Sequence, residues 1–167
     1  MFLQRMGQAG FSLLEVLVAG LVFALGLAGL STLLLLSFST TAEARRESSA
    51  ASAAASLAEQ IRLNPQARER YLDPPEYVGF LCDGTVACTP GQQADYDYRR
   101  WRLELASAIP GARALVCHDA TPEDGVEGDG HCDGTGSLVI KIFWPGAAYT
   151  AGRLMPPSAH RFTLRVD

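Results

Sequence analysis

Glu15 is the only ionisable side chain between Arg5 and Glu43. It closes the run Gly10-Phe11-Ser12-Leu13-Leu14-Glu15 and precedes an uncharged stretch from Val16 to Ala42. A carboxylate inside a membrane-spanning helix costs about 2.5–3.5 kcal/mol on insertion scales, so it calls for a partner and a purpose. Cutting the chain between Gly10 and Phe11 supplies that partner, because the freed amine of Phe11 is an ammonium close to Glu15 in sequence. The chemistry suggested is therefore charge pairing by a newly made terminus rather than catalysis.

The elements that position these groups follow from composition and periodicity. Val16 to Phe38 amounts to roughly 35 Å of helix, enough to cross a bilayer core. Within it Gly20, Ala24, Ala28 and Thr32 recur at every fourth residue and form a ridge of small side chains. In lipid, where little hydrophobic drive acts between helices, such ridges permit close helix contact. Thr41 to Arg62 lacks Gly and Pro, is rich in alanine, and places Ala50, Ala54, Leu57 and Ile61 at helical spacing. Asn64-Pro65 should end the helix. One continuous helix is expected from Phe11 to Leu63.

Beyond it, Thr89-Pro90-Gly91-Gln92 has the form of a capping box with proline at the first helical position. Tyr98, Trp101, Leu105 and Ala108 continue at helical spacing, although the alternation of Trp101, Leu103 and Leu105 leaves a strand open. Arg113–His118, Ser137–Trp144 and Ala159–Val166 alternate as strands do. Leu138, Ile140, Ile142 and Trp144 share one face, as do His160, Phe162, Leu164 and Val166. The expected fold class is α+β: a long N-terminal helix continuing into a small head with an antiparallel sheet packed on it. The expected division is 1–10 as a removable leader, 11–38 as the apolar half-helix, 39–64 as its polar continuation and 65–167 as the head.

These N-terminal residues resemble the type IV prepilin family, in which Gly precedes Phe-(Ser/Thr)-Leu-(Leu/Ile)-Glu and an apolar helix. The resemblance implies cleavage after Gly10 by a prepilin peptidase, N-methylation of Phe11, and use of Phe11 and Glu15 to register subunits in a helical filament. Gly20, Ala24 and Ala28 then become a subunit-packing ridge. Leu25-Gly26-Leu27-Ala28-Gly29-Leu30, Asp97, Trp101 and Ile109-Pro110-Gly111 are further similar to the minor pilins called pilus modification protein PilV. This implies a minor pilin that primes assembly at the pilus tip and supports twitching, adhesion or DNA uptake. Its partners would be the major pilin, other minor pilins, an inner-membrane assembly platform and a tip adhesin. The implied location is the bacterial inner membrane, head in the periplasm, and afterwards the pilus. A minor pseudopilin of a type II secretion system shares the same N-terminal logic and is the nearest alternative. The leader departs from the family in having Met6-Gly7-Gln8-Ala9 where a basic residue is common, and Met6 is a rival start.

The four cysteines, Cys82, Cys88, Cys117 and Cys132, all follow the apolar run. An even count in a non-cytoplasmic segment implies two disulfides. Of the three connectivities, the local pairs Cys82–Cys88 and Cys117–Cys132 are favoured, since each closes around Gly-rich turn sequence. A zinc site from Cys117, His118, His131 and Cys132 is disfavoured because its ligands come as adjacent pairs. The acid-rich segment from Asp119 to Gly136 offers oxygen ligands for calcium, but its spacing departs from the EF-hand pattern. A solvated loop tip is the expectation there. Arg99, Arg100 and Arg102 beside Tyr96, Tyr98 and Trp101 mimic single-strand binders, yet 18 acidic against 14 basic residues and a net charge of −4 disfavour nucleic acid. A DNA receptor is the weaker alternative function. No Gly-x-Ser-x-Gly or His-Glu-x-x-His run occurs. No catalytic residue, metal or cofactor is therefore assigned.

Overall fold

The computed structural model describes residues 12–72, 74–75, 79, 82–85, 87–126, 128–146, 149–150, 153–154 and 159–166. Gly10 and Phe11 lie outside the described residues. The chain divides at Thr41/Ala42 into two compact units, and helix α1, Leu13–Leu63, contributes to both.

In the first unit α1 is exposed throughout. The helix is long and apolar enough to cross a membrane, and none of its most apolar stretch is buried. Its hydroxyls turn back onto their own helix. Ser31 Oγ donates to Leu27 O at 2.9 Å, Thr32 Oγ1 to Gly29 O at 2.7 Å and Thr41 Oγ1 to Ser37 O at 2.7 Å. Such bonds satisfy these donors within the helix, without help from lipid.

The second unit is α+β. Its core gathers Ala50, Ala54, Leu57, Ala58 and Ile61 of α1 with Tyr98, Trp101 and Leu105 of α2 and one face of a sheet. A 3-10 helix, Pro65–Tyr71, follows directly after Asn64, so the proline ends α1 but the chain keeps turning. Helix α2 is Pro90–Ala108, and its capping box is complete: Gln92 N–H donates to Thr89 Oγ1, and Thr89 N–H to Gln92 Oε1. The helical spacing prevails over the alternating one, as Leu103 is exposed between buried Trp101 and Leu105. Ala108, expected on the apolar stripe, is exposed; Ile109 takes its place as the buried C-cap, bonding back to Leu105 O.

Strands β1 (Arg113–Asp119), β2 (Ser137–Pro145) and β5 (Ala159–Arg165) form an antiparallel sheet in the order β1-β2-β5. A separate two-stranded ladder, β3 (Tyr149–Thr150) with β4 (Arg153–Leu154), was not anticipated from the sequence. The register aligns Val116 with Ile140 and Leu164, and Ala114 with Ile142 and Phe162. Paired residues share a face, and this is the face in the core. The opposite face of β2 is buried as well: Val139, Lys141 and Phe143 are at most 2% exposed. Its cover is the segment joining β1 to β2. Arg161 Nη1 donates to Gly125 O at 2.8 Å, its Nη2 to Glu123 O, and Thr163 Oγ1 to Pro122 O at 3.3 Å. The expectation of a solvated loop tip holds for most of the segment, which is exposed at 120–121, 123, 128–129 and 131–136, but its backbone is anchored to the sheet. The segment is a lid, pinned by polar side chains that project from the outer face of the sheet.

Candidate assembly site

Local sequence sets the start of α1. Ser12 caps it, its Oγ accepting from Leu14 N–H at 3.3 Å, and Glu15 lies in the first turn. An acid there interacts favourably with the exposed N–H groups and the positive end of the helix dipole. Ser-Leu-Leu-Glu also has the spacing of a capping box, a local role for Glu15 that the charge argument overlooked. Glu15 is exposed and forms no hydrogen bond or ion pair with another described residue. Its side chain remains open to a cation from outside the described part of the chain.

Gly20, Ala24 and Ala28 all fall on α1 and are exposed. A methyl group added at Gly20, Gly26 or Gly29 would meet nothing within 4 Å, so no close approach among the described residues explains these glycines. The ridge is a surface without an intramolecular occupant among the described residues.

The polar continuation of α1 is tied to the sheet by Glu43. Its Oε1 accepts from Trp144 Nε1 at 2.9 Å and lies 3.3 Å from His160 Nδ1, while Arg46 Nη1 approaches Oε2 at 3.5 Å. His160 stacks on Trp144 with ring centroids 5.7 Å apart. The role of His160 is therefore structural and specific: it flanks a buried indole and faces a carboxylate. Trp101 makes the second tie, donating from Nε1 to Ala53 O at 2.7 Å. Arg70 holds the buried carboxylate of Asp95 through two bonds of 2.6 and 3.0 Å, joining the 3-10 helix to α2.

The sulfurs pair as Cys82–Cys88 and Cys117–Cys132, the local pairing favoured from sequence. Cys117, Asp119 and Cys132 lie close together, but both thiols are consumed in the second disulfide and do not form a metal cage. The basic-aromatic run behaves as an ordinary helix face. Tyr98 and Trp101 turn inward, Arg100 and Arg102 outward, and Arg100 is near Glu104 at 3.7 Å.

Electrostatics in the head follow burial and hydrogen bonding. Burial pushes the Tyr71 phenol up to about 12 and also raises that of Tyr98. Bonds from Lys141 and Thr121 hold the Asp124 carboxyl below its ordinary value, and backbone bonds from Thr135 and Ala120 do the same for Asp133. These groups are structural acceptors held ionised. The residue that sequence reasoning missed is Lys141, fully buried at the centre of β2. The available signal was its position, a lone charge inside the apolar run Leu138–Trp144.

Against known proteins, residues 5–31 match the family model described as the prokaryotic N-terminal methylation motif. No curated protein and no solved structure matches the chain significantly. The matched span contains Gly10, Phe11, Glu15, Gly20, Ala24 and Ala28, the residues already grouped by their chemistry. Over its N-terminal stretch, then, the chain carries a prokaryotic N-terminal methylation motif of the type IV prepilin-like kind.

Proposed function

We propose that this protein is a minor type IV pilin. A prepilin peptidase removes residues 1–10 by cutting after Gly10, and Phe11 is methylated. The subunit waits in the bacterial inner membrane with its head in the periplasm, and it enters the pilus at or near the tip. There it helps prime assembly and supports twitching, adhesion or DNA uptake. The observation that carries this is the pairing of a methylation motif with an apolar helix that buries none of its most apolar stretch and holds one acid in its first turn.

The mechanism is one of differential solvation. In the membrane, the Phe11 ammonium and the Glu15 carboxylate neutralise one another or a neighbour's counterpart, since neither is tolerated alone in hydrocarbon. In the filament, Glu15 engages the Phe11 amine of an adjacent subunit and sets the axial register. The ridge of Gly20, Ala24 and Ala28 lets helices approach closely, with van der Waals contact supplying the attraction. The partners are the major pilin, other minor pilins, the assembly platform and a tip adhesin. This function requires no catalytic group, cofactor or nucleic-acid surface.

Deleting the gene tests the proposal. Surface pili and twitching should fall while secretion of folded enzymes continues. Unchanged pili together with a secretion defect would instead assign the chain to a type II secretion pseudopilus.

A further inference from the structure

Lys141 sits in a cage of oxygens. Its Nζ contacts Asp119 Oδ2, Asp124 Oδ1 at 3.1 Å, Asp124 O at 3.2 Å and Gly130 O at 2.7 Å. Lys141 and Asp119 are fully buried, whereas the Asp124 side chain is 44% exposed. Each carboxylate is fixed from its other oxygen. Asp119 Oδ1 accepts from Thr121 N–H at 2.9 Å, and Asp124 Oδ2 from Thr121 Oγ1 at 2.9 Å. Backbone geometry shapes the cage too. Gly125 has φ +91°, and a Cβ there would come within 2.6 Å of Gly130 O, one of the oxygens that bind the ammonium.

Two carboxylates and two carbonyls converging on one point form the donor set of a hard-cation site, not of a hydrogen-bonded turn. Here the cation is supplied by β2. We propose that the lid over the outer sheet face is built on a cation site whose occupant is the chain's own lysine. The site makes the lid independent of dissolved metal. A tethered ammonium cannot be chelated or diluted away, so the lid stays closed over Val139 and Phe143 wherever the head is displayed. Its charge balances that of Asp119, a carboxylate that would otherwise be buried unpaired at high cost. Removing the ammonium while keeping the oxygens should therefore create a calcium site. Asp124, open to solvent, gives the ion an entry path, and waters complete a shell of six to eight oxygens.

The test uses the full chain in detergent micelles and a glutamate-specific protease, reading cleavage at Glu123 within the lid by mass spectrometry. Wild type should be cut at the same slow rate with millimolar calcium or with a chelator. Lys141→Ala should be cut about tenfold faster or more in chelator, as local opening becomes accessible. Calcium should return that rate to near wild type, while magnesium, which demands tight octahedral geometry, should not. Chelator-sensitive protection in wild type would overturn the proposal, as would a Lys141→Ala lid that calcium leaves equally labile. Should Lys141→Ala fail to fold, Asp124→Asn decides the matter, since it removes one exposed carboxylate without opening the core. It should speed cleavage at Glu123 several-fold with tryptophan fluorescence unchanged, and unaltered cleavage would contradict the cage.

Discussion

Helix α1 carries two stripes of small residues with opposite fates. Before Thr41, Gly20, Ala24 and Ala28 are exposed; after Ala42, Ala50, Ala54 and Ala58 are fully buried against the rest of the head. Both have the same four-residue spacing on the same helix. The difference is the occupant. The second stripe meets Trp101, Tyr98 and the sheet within its own chain, whereas the first has no such partner among the described residues. A small-residue stripe specifies close packing without saying what will be packed. In the proposed function, the first stripe is completed only by other subunits.

Glu15→Ala should break the comparison most severely. The precursor should still be cut and the head should melt as in wild type, but surface pili should drop by more than about tenfold, as expected when one member of a buried charge pair is lost. Electron microscopy of sheared pili, with immunoblotting for the processed form, checks both halves. A normal yield would remove the carboxylate from assembly.

The next pair sharpens it. Ala54→Leu should overpack the head and cost about 1–3 kcal/mol of stability, seen as a lower melting temperature in micelles. Ala24→Leu should leave that melting unchanged and reduce pilus yield. If Ala24→Leu destabilises the isolated chain, the first stripe has an intramolecular partner after all. Of similar size is Trp144→Phe, which keeps an aromatic ring but removes the donor to Glu43. A loss of about 1.5–3 kcal/mol is expected, typical of a hydrogen bond to a charged group, with no change in processing.

The smallest effect is acid sensitivity of the lid. Asp124 and Asp133 have depressed values in the folded chain. Their contribution is therefore complete above the unfolded carboxylate range of about 4 and is lost as pH falls through the lower folded values. Protection factors from hydrogen exchange across 120–126 and 128–136 should be flat from neutrality to about pH 5 and weaken only below about pH 4. Weakening near neutrality would point to a histidine instead.

Local signals were legible in this sequence wherever the determinant was local. Thr89 and Gln92 cap α2 as their spacing implied, because a capping box needs only four residues. Ala50, Ala54, Leu57 and Ile61 are all buried, since their helix is long enough to fix one face toward the sheet. Arg113, Ser137 and Ala159 each begin a strand where alternation began. The 3-10 helix after Asn64 was not foreseen, as Pro65 signals a stop equally well before a loop or before a tighter turn. The lid was legible only in part, its exposure foreseen and its anchoring not, for a different reason. Six acids and many glycines are what a solvated loop looks like, and only tertiary structure brings Lys141, Arg161 and Thr163 to its oxygens. A charge at the centre of an apolar strand was the one clue, and it demands a buried partner. At the other end, Gly10 and Phe11 were legible as chemistry, while their geometry lies outside the described residues.

Intact-mass and N-terminal analysis of the chain extracted from membranes of piliated cells tests the central claim most directly. The account predicts a protein that begins at Phe11, carries a methyl group on its amine and lacks residues 1–10. A chain still bearing its first ten residues in those cells would contradict it, leaving Glu15 without the cation on which assembly depends.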